Sequence, residues 1–270
     1  MAFMKRISFT LPELIVVVSI MAILMAIIFP VLRSSRQRAK AVLCNSNIKQ
    51  STIGFLIYET ENQILPYGFY NNPNKAAPPG GYPGHITYDR MGWWWFNFIS
   101  GFYKKSDEKT TVVKCPSKWL SNPKLNSDIL CGNYGVNRSI CKSSDDRQSR
   151  REEFIGTPLK ISAIPKPSET LLIVDSGYAI ICWWDAADEP PVVLGNIPIE
   201  DTAYIPGLKI NKNRELLPGQ EQDAINGRHP NKSVNVGFAD GHISLIKADD
   251  LLVEKTDNDY KNKTPLWVPK

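Results

Sequence analysis

Leu14–Leu32, LIVVVSIMAILMAIIFPVL, is a run of nineteen residues without a single charge. A helix of that length crosses a hydrocarbon core of roughly 30 Å, and a lone segment can do so only as a helix, which satisfies its own backbone hydrogen bonds. No later stretch of the 270-residue chain approaches it. The sequence therefore predicts one membrane span near the amino terminus and a large domain behind it. That domain is expected to fold, since 43% of the chain is hydrophobic and 22% charged. Its net charge of +5 comes from 32 basic and 27 acidic residues spread widely, which lacks the clustered basic footprint of a nucleic-acid binder.

Upstream of the span stand Lys5 and Arg6, then Ser8-Phe9-Thr10-Leu11-Pro12-Glu13. A carboxylate at the bilayer centre costs on the order of 2.5–3.5 kcal/mol and less near the interface, so a lone Glu13 at the edge of the run is a functional candidate. Pro12 falls in the first helical turn, where no hydrogen bond is lost. Downstream, Arg33, Arg36, Arg38 and Lys40 outnumber Lys5 and Arg6, and charge alone would place that end on the cytoplasmic side. From Ser34 to about Tyr58 no proline intervenes, and Ala39, Val42, Leu43, Ile53, Leu56 and Ile57 recur at roughly helical spacing. An amphipathic continuation is expected, with this stripe on the domain.

The segment Ser8-FTLPELIVVV, with its basic pair upstream and Glu13 fifth from Phe9, resembles the processing site of type IV prepilins and type II secretion pseudopilins. The resemblance implies cleavage between Ser8 and Phe9 by a prepilin peptidase, methylation of the new amino terminus, and pairing of Glu13 with a neighbouring subunit's terminal charge during fibre assembly. It also implies a cytoplasmic amino terminus and a head in the periplasm or on the cell surface of a bacterium, which overrides the charge rule. Two departures stand out: such leaders end in Gly where this one has Ser8, and Pro12 replaces an aliphatic residue. Pro30 falls where many pilin helices carry a proline.

Further patches extend the likeness in chain order. Cys44-Asn-Ser-Asn-Ile-Lys-Gln50, Cys115-Pro-Ser, Asn133-Tyr-Gly-Val-Asn137, Pro167-Ser-Glu-Thr-Leu-Leu-Ile-Val-Asp-Ser176 and Arg228-His229 before Asn-Val-Gly-Phe-Ala-Asp240-Gly241-His242 are similar to a bacterial subgroup named for a histidine nine residues before Asp-Gly; here the gap is one residue longer. The expected fold is α+β and pilin-like: leader 1–8, transmembrane helix 9–32, amphipathic continuation 33–60, and an antiparallel sheet head over 61–270.

Within the head, 65–92 is dense in Pro, Gly and Asn and reads as a surface loop. Trp93-Trp94-Trp95-Phe96 and Trp183-Trp184 cannot all face one way in a regular element. Trp94 and Trp184 could offer a carbohydrate platform, or the cluster could pack on the helix or a sister subunit. Strands are predicted at 111–114, 171–174 and 179–183. Asp240-Gly241 between two alternating runs predicts a two-residue hairpin in which Val236, Phe238, Ile243 and Leu245 share a core face and His242 takes the face opposite Phe238.

His229, Asp240 and His242 are residue types suited to metal binding or hydrolysis, but Asp240 is explained by its turn, so no catalytic residue and no metal ligand are assigned. No Gly-x-Ser-x-Gly, phosphate-cradling loop or His-Glu-x-x-His is present, and no enzymatic activity is expected. No cofactor is expected; calcium is conceivable by analogy with pseudopilins, with no acidic loop to name its ligands. Cys44 reads either as a packed core residue or as a disulfide partner for the head. Cys115, Cys131, Cys141 and Cys182 allow three pairings among themselves, with Cys131–Cys141 and Cys115–Cys182 the simplest. The expected partners are prepilin peptidase, other pilin-like subunits, the secretion or pilus assembly platform, and membrane lipid. The alternative is a membrane-tethered binding module for polysaccharide or protein that does not polymerise.

Overall fold

A computed structural model of the chain describes residues 10–71, 92–99, 111–144, 152–189, 203–257 and 259–269. The leader, the Ser8–Phe9 junction and most of the Pro/Gly-rich loop lie outside the described residues. The chain divides into two compact units, Met1–Ala39 and Lys40–Lys270.

One helix, α1, runs from Leu11 to Asn62 and contains Pro30. Its start is set locally: Thr10 donates to Glu13 Oε2 through its backbone N–H at 2.8 Å and its hydroxyl at 2.6 Å, the Glu half of a capping box. Glu13 is thus a helix-capping residue as well as a lone carboxylate, and Thr-x-x-Glu was the signal for it. The helix stops where Gln63 takes a left-handed φ of 60°. From Leu11 to Leu32 every side chain is exposed, and the segment is long and apolar enough to cross a membrane.

Beyond Lys40 the buried face of α1 differs from the predicted stripe. Ala41, Cys44, Asn47, Ile48, Ser51, Thr52, Gly54 and Phe55 are buried, whereas Val42, Leu43, Ile53 and Ile57 are exposed. Apart from Ile48 and Phe55, the face turned inward is made of small and polar residues, whose volume lets a helix sit close on a sheet; an apolar count alone picks the other side.

After α1 come strands β1 (Phe69–Asn71) and β2 (Gly92–Trp94), an antiparallel pair, and the short helix α2 (Trp95–Phe98). Helix α3 (Pro123–Ser127) precedes β3 (Tyr134–Asn137), β4 (Leu171–Asp175) and β5 (Ile180–Ile181). Helix α4 (Glu221–Asn226) leads to β6 (Ser233–Phe238) and β7 (Ile243–Lys247), and β8 (Lys255–Thr256) pairs with β9 (Asp259–Tyr260). The main sheet has the order β5-β3-β4-β6-β7. It is mixed rather than wholly antiparallel, because β3 and β5 run parallel. The fold class is α+β. Of the predicted strands, 171–174 is the core of β4, 179–183 shrinks to β5 followed by a 3-10 turn, and 111–114 is a 3-10 turn over Thr111–Val113.

Strands β4 and β6 are buried along their whole length. Gly237 of β6 marks where α1 approaches: a Cβ added there would lie 2.5 Å from Thr52 Oγ1 and 2.7 Å from Ile173 Cγ2. The β6–β7 connection corrects the hairpin expectation. Gly241 donates to Phe238 O at 3.0 Å and Phe238 to His242 O at 3.0 Å, so Ala239, Asp240 and Gly241 form a three-residue loop with Gly241 at φ 95°. One extra loop residue shifts the register by one, pairing Gly237 with Ile243 and Asn235 with Leu245. Leu245 is consequently 53% exposed, and the His242 ring stacks on Phe238 at 4.1 Å instead of taking the opposite face.

Candidate functional site: a buried polar cluster under α1

The chain patches that carry chemistry-bearing residues meet at one place, where residues 44–47 of α1 lie on the sheet. Cys44 Sγ is 2.9 Å from Cys115 Sγ, and both side chains are buried. Cys115 is fixed by its own backbone N–H, which donates to Asn133 Oδ1 at 3.0 Å just ahead of β3. Asp175, the last residue of β4, and His229, ahead of β6, complete the group. His229 Nε2 stands 3.1 Å from Asp175 Oδ2, with both side chains wholly excluded from solvent. Oδ2 also accepts from Asn235 N–H at 2.7 Å and Asn235 Nδ2 at 3.1 Å. Asn45 Nδ2 in turn donates to Asn235 Oδ1 at 3.2 Å, and Asn47 Nδ2 to Lys114 O at 3.1 Å and Tyr134 Oη at 3.3 Å. The Asn-x-Asn spacing after Cys44 thus gives the helix two polar anchors beside its thiol.

The electrostatics follow from burial and partners. Desolvation opposes the charge on His229, but the Asp175 carboxylate outweighs it and holds the imidazole up to about 10. Burial would push Asp175 up; His229 and Arg228 pull it below the usual carboxylate range. The pair is therefore ionic at neutral pH. The hydrogen bond from Cys115 lowers the Cys44 thiol, while burial drives Cys115 well up. Two buried atoms of the pair, Asp175 Oδ1 and His229 Nδ1, have no hydrogen-bond partner.

A second network borders the first. Arg228 and Asp223, both at zero side-chain exposure, form an ion pair at 2.7 Å. Arg228 also donates to Asn133 O and Ser176 O, each at 2.7 Å, and Tyr204 Oη donates to Asp223 Oδ2 at 2.7 Å. Asn137, from the same strand β3, donates through Nδ2 to Leu171 O at 2.9 Å and Trp267 O at 2.7 Å. These side chains tie backbone carbonyls of separate segments together; Asn133 O takes the Ser176 N–H at 3.1 Å as well.

Chemically, two thiols, an imidazole and a carboxylate offer either sulfur–sulfur bonding or metal ligation. One ligand atom from each of Cys44, Cys115, Asp175 and His229 lies within 4.8 Å of every other. No disulfide joins any of the five cysteines, so neither the Cys131–Cys141 nor the Cys115–Cys182 pairing is present. The sulfur beside Cys115 belongs to Cys44. Cys182 Sγ instead lies 3.2 Å from Asp185 Oδ2, and burial alone drives the Cys141 thiol up.

The remaining predicted residues fall elsewhere. Asp240 and His242 face each other at 2.6 Å on the exposed β6–β7 loop and do not join His229. Trp94 is fully buried against Phe69 and Tyr178, and Trp184 is 7% exposed against Phe154, so neither offers a flat face to a sugar. Trp95 stacks on Phe55 of α1 at 5.5 Å, which is the packing role expected for one member of the cluster. The exposed tryptophan is Trp119, at 54%, which sequence inspection passed over. Asp175 and Asn235 were missed as site residues too; a carboxylate closing the apolar run Leu171-Leu-Ile-Val-Asp175 was the available signal. Compared with known protein families, curated proteins and solved structures, the chain matches none.

Proposed function

We propose that the chain is a membrane-anchored, pilin-like structural subunit whose α1 serves both as anchor and as the contact helix of a fibre. The observation that carries this reading is that α1 has apolar residues left over after the head has been satisfied. Beyond the span, Val42, Ile53 and Ile57 lie within about 60° of one another at 100° per residue, and all are exposed. A soluble tether has no use for such a stripe, whereas neighbouring helices in a bundle bury it. The Glu13 carboxylate, on the resemblance of the amino terminus, pairs with the terminal charge of the next subunit after cleavage at Ser8–Phe9.

The competing module that binds polysaccharide loses its two named candidates, because Trp94 and Trp184 are buried. The test is to express the full chain with a prepilin peptidase and assembly platform, then follow cleavage by amino-terminal sequencing and assembly by shearing and sedimentation. Cleavage before Phe9 is expected, with fibres lost in Glu13→Ala while the protein stays membrane-bound. An uncut chain that never sediments with fibres, in parent and variant alike, would sink the reading.

A further inference from the structure

We propose that Cys44, Cys115, Asp175 and His229 form a closed structural site for a zinc-class divalent cation, which pins α1 to the sheet. The ligands come from four separate places in the chain: the helix, the Cys-Pro-Ser turn, the end of β4 and the segment entering β6. A tetrahedral zinc with Zn–S of about 2.3 Å and Zn–N or Zn–O of about 2.0–2.2 Å sets its ligand atoms roughly 3.3–3.8 Å apart. Four ligand atoms mutually within 4.8 Å meet that requirement once the two sulfurs move from 2.9 Å to the thiolate separation.

Donor chemistry selects the ion. Two thiols and an imidazole suit zinc and its soft neighbours, while calcium and magnesium take oxygen ligands. Four protein ligands, all buried, leave no open position for water or substrate, which marks a structural rather than a catalytic centre. Asn235 supplies the outer support, since its N–H and side-chain amide both hold Asp175 Oδ2, the same oxygen that faces His229 Nε2. Binding displaces one proton from each of the two thiols and one from the His229 imidazolium, and all three go to solvent.

The rival use of the same residues is a Cys44–Cys115 disulfide. That bond would occupy the sulfurs but leave Asp175 Oδ1 and His229 Nδ1 buried with no partner. A cation engages all four groups, including the carboxylate and the imidazole that a disulfide would leave out. It holds for a tethered module as well as for a fibre subunit.

The full chain, purified in detergent without chelator, tests this directly. Elemental analysis is expected to find one zinc per chain, and replacement by cobalt(II) to give the intense visible ligand-field bands of a tetrahedral thiolate site. Cys44→Ser and His229→Asn are expected to reduce zinc to background, and the control Cys182→Ser to retain it. The cobalt spectrum is read on the parent protein, so a variant that fails to fold leaves the test intact. Absence of zinc with two fewer titratable thiols, or zinc that persists in both ligand variants, would overturn the proposal.

Discussion

Replacing Gly237 by Ala should loosen α1 from the sheet. The added methyl would sit 2.5 Å from Thr52 Oγ1, 2.7 Å from Ile173 Cγ2 and 3.1 Å from Ile48 Cγ2. Carbon contacts are optimal at about 3.5–4.0 Å, so helix and strand must part by about 1 Å or two branched side chains must leave their rotamers. Thr52 cannot simply rotate away without losing the bond from its hydroxyl to Ile48 O at 2.8 Å. Overpacking of this kind costs about 1–3 kcal/mol. Removing a glycine returns roughly 0.4–1 kcal/mol through the unfolded state. The net loss should be about 1–2 kcal/mol, read as a lower urea midpoint with an unchanged slope, by tryptophan fluorescence of the full chain in detergent. Thr52→Ala in the same chain should recover part of it, a coupling on the order of 1 kcal/mol in the double-mutant cycle. An unaltered midpoint in Gly237→Ala would mean that the helix does not rest on β6 at this residue.

Arg228→Met should destabilise by about 3–5 kcal/mol, because it strands the Asp223 carboxylate in the interior; Arg228→Met with Asp223→Leu should cost less than Arg228→Met alone, by the same denaturation assay. Burial, only partly offset by Cys131, lowers the Lys118 ammonium to about 8 from 10.5. The folded chain thus sheds that proton before the unfolded one does, and this group's contribution to stability rises from about pH 8 to pH 10. Cys115, Cys141 and Cys182, whose thiols burial pushes up, pull the other way over the same range, so the comparison to make is Lys118→Met against parent. The variant should lose the rising component, on the order of 1–3 kcal/mol, and equal slopes in the two proteins would refute the shift.

The span was legible because its signal is local: length and lack of charge suffice. The strand Leu171–Asp175 was legible for the same reason. The buried side of α1 was not, since around Ile48 and Phe55 the head selects small and polar residues for close approach, and Asn47, Ser51 and Thr52 score poorly on any apolar count. The hairpin erred by one residue because Asp-Gly serves both a two-residue turn and the end of a three-residue loop; strand pairing decides between them. The polar cluster unites positions from 44 to 235, and only the sheet order β3-β4-β6 brings them together. Its members were visible as patches in the sequence, but their common destination was not.

Asn45, Asn47 and Lys49 each send one side chain across to the head, to Asn235, to Lys114 and Tyr134, and to Gly241 O at 2.7 Å, while Glu59 receives the Ile161 N–H at 3.2 Å. These bonds are spread along the helix and directed across it. A force applied along the axis of α1 therefore strains them in parallel, not one after another. Slippage by a single turn, about 5.4 Å, would break the whole set at once and offer no equivalent set in the new position. The polar contacts act as an axial detent, so that a pull on the helix moves the head with it.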